Sequence, residues 1–147
     1  MKEIVLDTET TGLSVKDGHR IVEIGCIELN DLVPTAKKFH CYLNPERKVS
    51  EKAFEVHGYS DEFLSKHKKF KDVQDDFLNF IENKRLVIHN AEFDIAHLNN
   101  ELMLSGKGKI KNEIIDTLNL ARNKFPGSPA SLDALCKRYR IDNSRRK

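Results

Sequence analysis

Residues 5–13, Val-Leu-Asp-Thr-Glu-Thr-Thr-Gly-Leu, constrain this chain more than any other stretch. Val5-Leu6 leads in as a strand, and Thr10-Thr11-Gly12 closes it as a turn. Side chains alternate along a strand, so Asp7 and Glu9 project from one face at its end. Their Cα atoms then lie roughly 6–7 Å apart, within reach of one small metal centre. Two acids on one face repel and lose hydration, and a cation between them offsets both costs. The alternative is a solvated strand end with two unrelated acids. The apolar strand before the pair and the turn after it favour the cation.

A chain of 147 residues is long enough for one ordinary domain with a sizeable core. With 39% apolar and 33% charged residues, its composition is globular. It has no run of about 18 apolar residues and no N-terminal signal pattern, which predicts a soluble, cytoplasmic protein with no membrane partner. Cys26, Cys41 and Cys136 are odd in number and widely spaced, which predicts buried free thiols in a reducing compartment. A formal charge of +2 is too small to argue for nucleic acid by itself.

Residues 20–29 are rich in β-branched side chains, and residues 37–44 alternate before stopping at Asn44-Pro45. With the first strand they predict a three-stranded antiparallel meander. Glu23 and Glu28 are expected as outward-facing charges. Residues 50–58 pattern a helix ending at His57-Gly58, and Ser60-Asp61-Glu62 opens another. From Phe70, the positions Val73, Phe77, Phe80 and Ile81 predict a helix packed on the sheet, with its aromatic stripe in the core. Lys66, Lys68, Lys69 and Lys71 around His67 form a solvated charge run, with phosphate contact as the alternative.

Arg85-Leu86-Val87-Ile88 is a short buried strand that runs straight into His89-Asn90-Ala91-Glu92-Phe93-Asp94; Ile95, Leu98 and Leu102 then mark a helix. That places the loop at the carboxyl end of the strand, where open α/β sheets bind ligands. Asp94 falls in the first helical turn. It is either an acid that stabilises the helix dipole or a third carboxylate beside Asp7 and Glu9. Residues 113–116 form a further strand, and Asp116 caps a helix over 117–124. Residues 125–129 form a loop, and Leu132, Leu135, Cys136 and Tyr139 pattern a last helix with Asp133 in its early turn. No repeat, low-complexity tract or linker divides residues 1–147.

Asp-Thr-Glu-Thr-Thr-Gly-Leu at 7–13, Ala-Phe-Glu-Val-His-Gly at 53–58 and His-Asn-Ala-Glu-Phe-Asp at 89–94 together resemble the DEDD 3′→5′ exonucleases. Three further stretches are similar to their proofreading branch, the epsilon subunits of bacterial DNA polymerase III. These are Phe125-Pro126-Gly127, Ser131-Leu132-Asp133-Ala134-Leu135-Cys136 and Ile141-Asp142-Asn143-Ser144, so the resemblance spans essentially the whole chain. It implies an RNase H-like α/β fold, a mixed five-stranded sheet flanked by helices. It implies two divalent metal ions, Mg²⁺ or Mn²⁺, and release of 5′-mononucleotides from a mispaired DNA 3′ end. The implied partners are that 3′ end and the polymerase III core subunits.

Carried over residue by residue, the resemblance makes Asp7, Glu9 and Asp94 the catalytic, metal-holding acids, with Asp7 bridging both ions. Thr10 and Thr11 would meet the terminal nucleotide beside Asp7 and Glu9, and Leu13 would wedge against its base. Val56 and His57 match a nucleotide-contacting pair, and Asn90 and Phe93 would line the same cleft. Lys52 stands where well-known members carry an acid, and it is expected to touch the substrate. The family's third motif is a histidine followed five residues later by an aspartate, on a helix after Asp142-Asn143-Ser144. Lys147 comes before it, so a domain lacking its C-terminal helix is expected. His89 and Asp94 share that spacing but belong to the second motif. Three functions stand at this point: a proofreading exonuclease domain, a module that binds a polymerase or a 3′ end without cutting, and a related exoribonuclease.

Overall fold

The structure, a computed structural model, describes residues 1–131. The helix expected over residues 132–139, with Asp133 and Cys136, and the motif at 141–144 lie outside the described residues. Strands β1 (Lys2–Thr10), β2 (Ile21–Asn30) and β3 (Val33–Tyr42) form the expected antiparallel meander. Strand β3 begins at Val33 rather than at residue 37. Asp31 and Leu32 both take positive φ, 49° and 69°, and close a tight hairpin that no Asn-Gly or Asp-Gly pair announces. Pro34 reads as a breaker, yet β3 is the sheet edge, where a missing N–H loses no ladder bond.

Ser50 and Ser60 cap helices α1 (Glu51–His57) and α2 (Asp61–Ser65), their hydroxyls accepting from the N–H groups of Ala53 and Phe63. Then follow α3 (Phe70–Ile81), β4 (Arg85–Ile88), α4 (Ala91–Leu104), β5 (Ile114–Asp116) and α5 (Thr117–Lys124). Strand β4 joins β1 in parallel and β5 joins β4 in parallel, giving the order β3-β2-β1-β4-β5. This is the mixed five-stranded sheet with flanking helices that the sequence predicts. Strands β1 and β4 are parallel neighbours with Val5 paired to Val87, so β4 ends level with Leu6 while β1 runs on to Thr10. The chain leaving β4 therefore passes beside the second half of β1, where Thr8 meets Asp94.

Ile4 and Leu6 of β1 and Leu86 and Ile88 of β4 pack against Phe77 of α3 and Leu98 of α4 in one core. The aromatic stripe lies in that core as expected, with Phe39 5.8 Å from Phe77, ring to ring. Cys26 and Cys41 are free thiols, and burial pushes them up to about 12 and about 11, so both are unreactive.

The two glutamates of β2 are not outward-facing. Glu28 is 1% exposed because it shares the core face with Cys26. Its carboxylate meets the Lys84 ammonium at 2.7 Å and accepts from the Thr35 hydroxyl at 2.9 Å. Those two partners, Lys84 first, hold its pKa below the usual carboxylate range. Glu23, on the opposite face of β2, is half-buried and accepts from the Tyr59 hydroxyl at 2.8 Å and pairs with His40 Nε2 at 2.6 Å. Removing only the cation leaves Glu28 enclosed and uncompensated, whereas an apolar pair carries no such penalty. Lys84→Met is therefore expected to lower the urea midpoint clearly, and Glu28→Leu/Lys84→Met to regain most of the loss. Unfolding curves of the three proteins test this, and a Lys84→Met midpoint equal to wild type would refute it.

Candidate active site

Strand alternation places Asp7 and Glu9 on one face of β1, with Leu6, Thr8 and Thr10 buried on the other. Asp7 lies in register with Gly25, and Glu9 with Glu23. Glu9 opens onto a cleft of about 640 Å³ at the carboxyl end of β1, also lined by Thr10, Leu13, Lys52, Val56, His57 and Phe93. Seven residues singled out in the sequence thus meet around one cavity. Asp7 instead lines the neighbouring trough on the sheet face, beside Gly25 and His40. Asn90 faces a separate hollow next to Leu118 and Arg122. Thr11 is wholly enclosed.

Asp94 comes from the first turn of α4. Asn90 before it takes the left-handed conformation, φ 64°, which asparagine tolerates better than most residues, and gives α4 no side-chain cap. Asp116 supplies that cap from β5, accepting from Asn90 N–H at 3.0 Å and Ala91 N–H at 3.1 Å. The same carboxylate accepts from Leu118 N–H at 2.9 Å, the α5 cap that the sequence predicts. The second cap was not legible, because it pairs residues 25 or 26 positions apart.

The Asp94 carboxylate is 4% exposed and accepts from the Thr8 hydroxyl at 2.7 Å. Its pKa is pushed up to about 7, first by burial and then by the charges of Asp7, Glu9 and Asp116, while the Thr8 hydrogen bond opposes the rise. The three predicted acids therefore sense one another electrostatically. Their oxygen donors and crowded negative charge fit a hard divalent cation such as Mg²⁺ or Mn²⁺. Among the described residues, however, no three His, Cys, Asp or Glu side chains gather in a metal-holding cluster.

The cleft walls are held from behind. His57 Nδ1 accepts from Tyr59 N–H at 3.0 Å, which leaves Nε2–H to donate to the Thr10 carbonyl at 3.1 Å. Burial pushes its pKa down, so the ring is a neutral brace with both nitrogens engaged. Thr11 N–H donates to the Arg20 carbonyl at 2.8 Å, and its carbonyl accepts from Ser50 N–H at 2.9 Å. Its hydroxyl accepts from Arg20 N–H at 3.0 Å and contacts His19 Nδ1 at 2.8 Å. His19, a cleft residue that the sequence reading missed, lies where a side chain on Gly12 would stand. A Cβ there would come within 2.3 Å of the ring. Gly12, in the turn after the acids, is the sequence signal for a close neighbour there.

The Asp94 shift has a definite sign. Its folded-state pKa lies above the ordinary 3.8, so folding favours the protonated form. Stability from this group is complete below about pH 4 and is lost as pH rises through about 7. In divalent-free buffer, Asp94→Asn should match wild type near pH 4. At pH 8 it should exceed wild type by about 1–4 kcal/mol, at 1.36 kcal/mol per pKa unit as the ceiling. Denaturant titrations at the two pH values measure this, and a gap that is the same at both would sink it.

The chain is similar to known proteins over nearly its whole length. Residues 4–146 match the exonuclease family. The chain is 54% identical over 150 residues to DNA polymerase III subunit epsilon of Rickettsia prowazekii (strain Madrid E), covering 99% of this chain and 66% of that protein. It is 48% identical over 153 residues to the Salmonella typhimurium subunit, covering 99% and 63%. The chain thus spans about two thirds of the length of the curated relatives it matches. Among solved structures it superposes on Exonuclease X in complex with 5′ overhanging duplex DNA, with TM-score 0.73, 26% identity and coverage of 95% and 74%. The nuclease domain of 3′hExo, a DEDDh family member bound to rAMP, shares the fold at TM-score 0.81, 18% identity and coverage of 96% and 80%. With nearly its whole length matched, the chain belongs to the exonuclease family.

Proposed function

We propose that residues 1–147 form one metal-dependent 3′→5′ exonuclease domain that proofreads for a bacterial replicase. One observation supports the reading: buried Asp94 of α4 lies near enough to Asp7 and Glu9 of β1 for their charges to raise its pKa, and Glu9 opens onto a cleft of about 640 Å³. Identity of 47–54% to epsilon subunits supports polymerase III core subunits as partners, a DNA 3′ end as substrate and the cytoplasm as the place of work. Among the described residues, no helix is long and apolar enough to cross a membrane.

Two divalent cations, Mg²⁺ or Mn²⁺, supply the charge that stabilises an attacking water and the departing 3′-oxygen in such a reaction. Asp7 and Glu9 would hold them from β1, and Asp94 would help to hold them from α4. Thr10, Lys52, Val56, His57 and Phe93 shape the pocket for the terminal nucleotide, and Asn90 lies outside it. Leu13, 80% exposed, presents apolar surface for the base. Thr11 serves the nucleotide through the turn that it anchors.

A second reading, a module that binds a 3′ end or a polymerase without cutting, is favoured by the missing three-ligand cluster among the described residues. Calorimetry with Mn²⁺ and single-turnover digestion of a 3′-mispaired primer separate the two. The wild type should take up Mn²⁺ and shorten the primer one mononucleotide at a time. Asp7→Ala should keep its melting temperature yet lose metal uptake and at least about a hundredfold in rate, since a carboxylate that would hold the cations is gone. A wild type that binds the primer without shortening it establishes the second reading. Undiminished Mn²⁺ uptake by Asp7→Ala overturns the metal assignment.

A further inference from the structure

Helix α4 carries Asp94 in its first turn and Glu101 two turns later, both buried. Glu101 is 2% exposed, and its two oxygens accept three hydrogen bonds. Arg20 donates from Nε at 2.9 Å and from Nη2 at 2.7 Å, and Ile21 N–H donates at 3.0 Å. The Arg20 main chain pairs in turn with Thr11, through the two bonds of 2.8 and 3.0 Å described above. One continuous run of hydrogen bonds, Glu101–Arg20–Thr11, therefore ties the helix bearing Asp94 to the turn that follows Asp7 and Glu9.

Stability alone does not call for a buried ion pair at this place. Apolar side chains of similar volume commonly stabilise a core as well or better. What the guanidinium–carboxylate fork adds is geometry, because two parallel bonds set both distance and angle. Resting on the exonuclease reading, we propose that Arg20 and Glu101 are positioning residues for the reaction. They set the spacing between the acids of β1 and Asp94 of α4, and with it the register of the terminal nucleotide against the cations. Neither lines the cleft. A shift of Arg20 reaches the cleft wall through Thr11 and His19, whose ring packs on Gly12. Misplacement of reacting groups by about 1 Å suffices to lower a rate by roughly 10².

The decisive variant is Arg20→Leu/Glu101→Leu, which removes the fork without leaving a buried charge. Arg20→Lys and Glu101→Gln are measured beside it, since each keeps a polar side chain and breaks the bidentate pair. The readouts are melting temperature, affinity for thymidine 5′-monophosphate with Mn²⁺, and kcat and KM on a 3′-mispaired primer. We expect the double variant to melt a few degrees below wild type, because the Ile21 N–H loses its acceptor, and to lose at least about tenfold in kcat, with a smaller change in KM. Arg20→Lys should lose kcat similarly. A double variant with wild-type kcat overturns the inference and leaves the exonuclease reading standing. If the double variant fails to fold, wild-type kcat in Arg20→Lys or Glu101→Gln overturns it, and a tenfold loss in both at unchanged melting temperature supports it. A wild type that neither binds the nucleotide nor shortens the primer overturns the exonuclease reading and this inference together.

Discussion

At Thr11 the chain leaves the centre of the sheet with its amide, its carbonyl and its hydroxyl all engaged. A fully enclosed backbone must satisfy its polar groups inside the protein, and here the partners come from different elements. Arg20, at the start of β2, takes the amide and donates to the hydroxyl, while Ser50, the cap of α1, donates to the carbonyl. Helix α1, which brings Val56 and His57 to the cleft, is thereby registered against the end of the strand that carries Asp7 and Glu9. His57 closes the loop by donating back to the Thr10 carbonyl. Moving any one of these elements leaves a buried donor or acceptor without its partner, which costs about 1–3 kcal/mol.

The same region concentrates negative charge. Glu9 faces Glu23 directly across the β1–β2 pair, an arrangement that is unfavourable in an ordinary sheet. Tyr59 and His40 draw the Glu23 carboxylate to themselves, while Asp116 spends its oxygens on the main-chain amides at the starts of α4 and α5. Asp94, buried near Asp7 and Glu9, is held well above the usual carboxylate range, by burial first and by their charges second. A fold optimised for stability alone would place an amide or an apolar group there. Retaining a buried carboxylate next to two others is the kind of local inconsistency expected at a functional site.

Much of this was legible from local pattern. The period of two put Asp7 and Glu9 on one face, the helical spacing of Phe70, Phe77 and Ile81 predicted the stripe of α3, and Ser60 and Asp116 marked helix starts. These features depend on neighbours a few residues apart, so the chain carries them before it folds. Strand β3 was only half visible, because Pro34 signals a break unless one knows that the strand lies at an edge.

Sequence by itself determined which residues share a face, where helices start and which acids stand at strand and helix ends. Tertiary structure decided what stands opposite each of them. Glu28 meets Lys84, Glu101 meets Arg20 and His57 meets Thr10 across 47 to 81 residues of chain. Nothing in the spacing of residues 20–29 distinguishes a glutamate facing solvent from one enclosed beside a lysine. The choice is made when α3 and α4 close over the sheet and remove water from one of its faces. An enclosed carboxylate must then be neutralised by a cation or a donor, or else be protonated, and packing alone determines which is within reach.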